Sequence, residues 1–273
     1  MHAILFTKMF RGQSLEFIGS TTRDLGFDGI DLLIRAGHQL DPREPEAIPA
    51  AVRLLEREGI SVPMATTDLT DPAEFPSQRL LAQCREAGIR VIRLGYWSYD
   101  PALGYAACRD TARRHLDVLE RLARDAGVRL AIQLHGDTIH CSGGLTTALL
   151  EGHDPAHIGA YPDPGNQAVQ GGREDWRLTF DLLRPWLCCV GVKNGGWWPA
   201  ALSAAGQRRW RSDWLGLSEG MVPWDEIIGY LRAVDYDGFL SFHSHYEVPL
   251  EQSLDQTRSD LRFIRRQMAP TPD

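Results

Sequence analysis

Four times along the chain a helical run stops at a glycine and passes at once into a short apolar run: "IPAAVRLLEREGI", "FPSQRLLAQCREAGI", "DTARRHLDVLERLARDAGV" and "WDEIIGYLRAVDYDG". Before each glycine, apolar residues recur at helical spacing. Glycine suits the residue after a helix because it takes positive φ without steric cost. A chain that repeats helix, glycine and apolar strand builds β/α units, whose strands lie parallel and need helices on the outside.

Apolar runs near 2–7, 29–34, 60–66, 89–95, 128–135, 157–163, 188–194 and 238–245 read as eight strands. The segment 157–163 has the shortest signal and contains Pro162. Eight units predict α/β architecture with a single closed (β/α)8 TIM barrel, a fold for which 273 residues is an ordinary length. No GxGxxG follows the first strand, which argues against a dinucleotide-binding sheet. No linker or composition shift divides the chain, so residues 1–267 are expected to form one barrel domain, with 268–273 as a disordered tail. The stretch 194–222 reads as a long irregular loop after the seventh strand. It holds four of the eight tryptophans and is expected to cover the barrel mouth.

A formal net charge of -7 argues against a nucleic-acid binder, and no apolar run is long enough to span a bilayer. Cys84, Cys108, Cys141, Cys188 and Cys189 form no CxxC pair, and "MHAILFTKMFRGQ" lacks the apolar core of a signal peptide. These features predict reduced thiols and a cytoplasmic enzyme with a small-molecule ligand; they are compatible with an oligomer.

In a parallel β/α barrel the chemistry collects at the C-terminal ends of the strands. The polar residues there are Asp31 and Arg35 on the second strand, Arg93 on the fourth, Gln133 and His135 on the fifth, and Asp163 after the sixth. Lys193 and Asn194 end the seventh, and His243 and His245 the eighth, in "LSFHSHYE". Strand alternation puts His243 and His245 on one face. Burying so many polar groups at one end is costly unless they are paired or used. Each residue also has a structural role available to it. Asp163, between prolines and before Gly165, is a natural turn-former. Lys193 could reach solvent, Gln133 could satisfy backbone groups, and the tryptophans could pack only on each other.

The blocks "GFDGIDL", "GIRVIRLG", "GVRLAIQLHG", "GAYPDPGN", "VGVKNGGWW" and "EGMVPWDEIIGYLRAVDYDGFLSF" resemble, in order and spacing, the strands of the sugar phosphate isomerase/epimerase group, the xylose isomerase-like TIM barrels. The resemblance implies a sugar-like substrate and one divalent metal held by Glu, Asp, His and Glu on strands five to eight. Those positions fall on Gln133, Asp163, Gly191 and His243, so only the Asp matches. One branch of the superfamily is more similar, through "QLH", "KN" and "FHSHYE", and departs at His245.

The sequence therefore points to an isomerase or epimerase acting on a sugar, keto-sugar or cyclitol by proton abstraction next to a carbonyl. A lyase performing β-elimination on a 3-keto sugar shares that first step, and a non-catalytic sugar-binding subunit is the third reading. Expected catalytic residues are His243, Lys193, His135 and Asp163, with Gln133, His245, Arg93, Trp197 and Trp198 as substrate contacts. Asp163 and His243 could hold one Zn²⁺ or Mn²⁺. The missing ligands tilt the expectation towards a metal-free site, with His243 as general base and Lys193 polarising the carbonyl.

Overall fold

The computed structural model describes residues 1–74, 76–170, 174–244 and 246–269. Its first half alternates β1 (His2–Phe6), α1 (Leu15–Leu25), β2 (Gly29–Leu33), α2 (Ile48–Arg57), β3 (Met64–Thr66), α3 (Ser77–Glu86), β4 (Val91–Arg93) and α4 (Gly104–Ala126). There follow β5 (Arg129–Gln133), α5 (Gly143–Leu150), β6 (Ile158–Tyr161), α6 (Pro164–Val169), α7 (Trp176–Leu183) and β7 (Cys189–Val192). The chain ends with β8 (Asn194–Leu202), β9 (Arg208–Leu215), α8 (Trp224–Ala233), β10 (Phe239–Phe242) and α9 (Leu250–Met268).

Eight of these strands form one sheet in the order β6-β5-β4-β3-β2-β1-β10-β7, with every pair parallel. The Cys188 N–H donates to Ala160 O (3.0 Å) and the Gly191 N–H to Pro162 O (2.9 Å), which joins β7 to β6 and closes the ring. The expected (β/α)8 barrel is therefore the observed fold. Three of the four glycine stops work as the sequence implied: Gly59, Gly88 and Gly127 have φ 83°, 85° and 69°, and the Gly127 N–H caps α4 on Ala123 O and Arg124 O. The fourth does not, since α8 ends at Ala233 and the residue with positive φ after it is Asp235, not Gly238.

Two apolar layers sit on either side of the strands. Ile4, Met64, Val91, Ala131, Tyr161 and Cys189 fill the barrel, while Leu5, Ile30, Ile92, Leu130 and Leu240 face the helices. Period-two alternation along short strands produces this division. All five cysteines are free thiols. Among the described residues, no helix is long and apolar enough to cross a membrane.

Two expectations change in detail. The stretch 194–222 is not irregular. β8 and β9 pair as an antiparallel ribbon, with Gly195 opposite Trp214 and Trp197 opposite Ser212. Asn194 pins its base, donating to Leu217 O (2.8 Å) and Val222 O (3.1 Å) and accepting from the Gly195 and Val222 N–H groups (2.9 and 2.8 Å). At the C-terminus, Met268 still belongs to α9, and Pro270–Asp273 lie outside the described residues.

Candidate active site

The C-terminal ends of the barrel strands open into a cavity of about 490 Å³. Lys8 follows β1, Arg35 follows β2, Arg93 ends β4, His135 follows β5, Lys193 follows β7 and His243 follows β10, and all six line it. The parallel register puts these strand ends at one mouth.

Asp163 is the hub beneath the cavity. It is fully buried and follows β6, where its Oδ1 accepts the Asn166 N–H (2.8 Å) and so caps α6. Its Oδ2 accepts from Gln133 Nε2 (2.6 Å) and from Lys193 Nζ (3.1 Å). The turn-forming role and the site role thus belong to the same side chain. Gln133 is oriented by its other end, because its Oε1 accepts from Arg93 Nη1 and from the Tyr96 hydroxyl, both at 3.0 Å. Arg93 is 2% exposed, also donates to Thr67 O (3.1 Å), and lies over the Tyr96 ring.

Lys193 is buried, and burial pushes its ammonium below the usual lysine range, against the opposing pull of Asp163. Its Nζ stands 4.9 Å from the Trp214 ring centre. Two glycines make room for the pair. A Cβ at Gly165 would strike the Lys193 side chain, and one at Gly191 would strike the Asp163 carboxylate.

The histidines differ in state. His135 stacks on Tyr96 with ring centres 4.1 Å apart, donates from Nδ1 to Gly136 O (2.8 Å), and accepts at Nε2 from Gln170 (3.2 Å). That arrangement assigns a neutral ring, in keeping with a pKa lowered chiefly by burial. His140, close behind, is pushed down to about 3 by burial and is locked between Gln133 O (2.9 Å) and the Trp97 N–H (3.3 Å), a structural position. His243 packs on Phe6, with ring centres 4.6 Å apart, and its Nε2 shares a 2.7 Å hydrogen bond with the Tyr161 hydroxyl. Below it, the Ser241 hydroxyl donates to Asp31 Oδ2 and Thr66 donates to Asp31 Oδ1, both at 2.8 Å. Tyr161 also contacts Ser241. Burial raises Asp31 to about 6.

Of the sequence-derived candidates, Arg93, His135, Lys193 and His243 line the cavity, with Gln133 and Asp163 directly beneath them. His245 lies outside the described residues. Trp197 and Trp198 are not brought to the cavity: Trp197 is 40% exposed and bonds Ala168 O (2.6 Å), and Trp198 lies under Arg211. β8 is buried at Asn194–Gly196 and more open beyond, and the ribbon tryptophan that lines the cavity is Trp214. Sequence patterns alone do not single out Lys8, Tyr96 or Tyr161. Tyr161, two residues before Asp163, could have been found by carrying the period-two alternation back along β6.

The donor set does not fit the divalent metal that the family resemblance implied. Asp163 already accepts three hydrogen bonds, out of roughly four acceptor sites on a carboxylate. One of its donors is an ammonium, Gly191 offers no ligand, and a side chain at Gly191 would displace Asp163. Asp163 is engaged by Asn166, Gln133 and Lys193 and His243 Nε2 by Tyr161, and among the described residues no group of three His, Cys, Asp or Glu side chains could hold a metal ion. The Lys193 ammonium supplies the positive charge beside Asp163.

No curated protein matches the chain in sequence. Solved structures match along nearly the whole chain. The 3-keto-D-glucoside 4-epimerase YcjR from E. coli is 15% identical, with TM-score 0.72 over 97% of this chain and 99% of that one. D-Psicose 3-epimerase from Clostridium cellulolyticum H10 is 12% identical, with TM-score 0.72 over 99% and 100%. A xylose isomerase-like TIM barrel protein from Mycobacterium smegmatis, in complex with magnesium, is 18% identical, with TM-score 0.71 over 98% of each chain. At these identities the likeness is one of fold. The family model for xylose isomerase-like TIM barrels matches residues 20–267, and the chain belongs to that family.

Proposed function

We propose that the protein is an isomerase or epimerase of a sugar, keto-sugar or cyclitol that abstracts a proton next to a carbonyl without a divalent metal. The observation that carries this reading is the buried Lys193 ammonium, anchored on Asp163 at 3.1 Å, in the same cavity wall as His243. The names of the similarly folded structures, sugar epimerases among them, support the substrate class.

Asp163 holds one N–H of Lys193 and leaves the others for a ligand oxygen. An ammonium fixed in a poorly hydrated site stabilises the enolate oxygen that forms when the neighbouring carbon loses its proton. His243 takes that proton. The Tyr161 hydroxyl lies in contact with Ser241, which donates to Asp31, and with His243 Nε2; the base is the tautomer in which Tyr161 accepts the Nε2–H. In that tautomer the basic lone pair of His243 is on Nδ1. For an aldose–ketose isomerisation the neighbouring hydroxyl passes its proton to the enolate oxygen, and His243 returns its own proton to the former carbonyl carbon. For an epimerisation a second donor, such as water, protonates the same carbon from the opposite face and His243 releases its proton to solvent.

The test is proton exchange into a panel of ketoses and keto-cyclitols in D₂O, followed by NMR. Exchange at a carbon next to the carbonyl is expected, and Lys193→Met and His243→Gln should each slow it about 10²-fold or more. Exchange that survives both substitutions would overturn the assignment. A product that has lost water would move the protein to the lyase class.

A further inference from the structure

The side chains that face the cavity are more cationic than a chain of net charge -7 would suggest. Lys8, Arg35, Arg93 and Lys193 all reach its wall. The acids lie behind or beside them: Asp163 under Lys193, Asp68 on the flank of Arg35, and Asp31 beneath the floor, none of them lining the cavity. Glu247 is the lining carboxylate, and it is exposed.

The cations differ in how they are satisfied. Arg93 donates only to neutral oxygens, those of Gln133 and Thr67, and its buried Nε has no partner among the described residues. Arg35 uses Nε and Nη2 on Asp68, which leaves Nη1 without a partner among the described residues. No carboxylate forms an ion pair with Lys8 among the described residues; its pKa is lowered by burial and then by Arg35 and Arg93, with Asp68 as the smaller opposing pull. Lys8 and Arg93 in turn lower Lys193. Like charges crowded at a cavity wall repel one another, and a bound anion relieves that repulsion.

We propose that the cavity binds an anionic sugar derivative whose oxyanion, a carboxylate or a phosphate, sits against Lys8 and Arg35 while its carbonyl end meets Lys193 and His243. The proposal rests on the isomerase reading for the carbonyl end only; the oxyanion end stands on the distribution of charge. Charge-assisted hydrogen bonds to an oxyanion are stronger than those to a neutral hydroxyl, so charge should dominate selection among otherwise similar sugars.

The test is a calorimetric binding series at fixed low ionic strength, with D-glucose, D-glucuronate, D-glucose 6-phosphate and inorganic phosphate as probes. Inorganic phosphate is expected to bind, and at least one charged hexose should bind about 10-fold or more tightly than D-glucose. The preference should shrink in Lys8→Met and in high salt. The tighter of the two charged hexoses identifies the oxyanion as carboxylate or phosphate. D-glucose binding as tightly as both charged sugars, phosphate giving no heat, or a preference unchanged in Lys8→Met would each overturn the proposal. Proton exchange on neutral ketoses with no anion preference would remove this inference and leave the isomerase reading standing. Anion preference without exchange would do the reverse.

Discussion

Asp163 accepts from three donors, and the identity of Gln133 follows from that. An amide at this position donates to the carboxylate from one end and accepts from Arg93 and Tyr96 at the other. A glutamate would set a second carboxylate against the first with no hydrogen to share. Gln133→Glu is therefore expected to lose about 2–4 kcal/mol of stability at neutral pH and to recover part of it on acidification, measured by urea unfolding at pH 7 and pH 4.5. Equal stability at pH 7 would contradict the network. Asp31 makes a separate prediction. Its folded pKa is raised from 3.8 to about 6, so the folded state binds the proton more tightly than the unfolded one. The contribution is complete below the unfolded pKa and is lost as pH rises through about 6, a change of about 3 kcal/mol. The stability of the wild type relative to Asp31→Asn should therefore fall between pH 4 and pH 6.5; a flat difference would refute the shift. At this scale the sequence showed much of the site. Arg93, Lys193 and His243 stand at strand ends where a polar residue is conspicuous. Tyr161 and Tyr96 were not legible, because a tyrosine near a strand end looks like core until a partner for its hydroxyl is found.

At the scale of elements, the glycines after α2, α3 and α4 announced the β/α repeat, and the strand segments were found because their composition is decided locally. The ribbon was not. Its strands read "NGGWWPAAL" and "RRWRSDWL", which carry no clean alternation, and most of the ladder beyond Gly196 is exposed or half-buried. Its pairing comes from backbone hydrogen bonds and from Asn194 at the base, and no hydrophobic period records either. The glycines that shape the site were also silent in sequence, since their reason is the space taken by another element. A Cβ at Gly191 of β7 would collide with Asp163 from the end of β6. Gly191→Ala should cost about 1–3 kcal/mol by overpacking and should lower the exchange rate by displacing Asp163 and Lys193. Gly229 of α8 is the control, since a Cβ there would meet nothing within 4 Å; Gly229→Ala should gain about 0.5–1 kcal/mol. Melting temperatures that move the same way in both variants would contradict the packing assigned to Gly191.

For the molecule as a whole, closing the barrel between β7 and β6 does more than complete a ring. It sets Gly191 beside Pro162 and so holds the Lys193 and Asp163 strand ends next to each other. A family fold that elsewhere includes a magnesium-bound member here carries an internal ammonium against its buried aspartate. If that ammonium is the electrophile, turnover needs no divalent ion. The decisive measurement is the rate of substrate proton exchange in D₂O after exhaustive dialysis against a chelator, with Mn²⁺ and Zn²⁺ added back. The chelated wild type should keep its full rate, the rate should fall as Lys193 loses its proton at a pH below the usual lysine range, and neither ion should rescue Lys193→Met. A rate abolished by chelation and restored by stoichiometric Mn²⁺ or Zn²⁺ would contradict the assignment of Lys193.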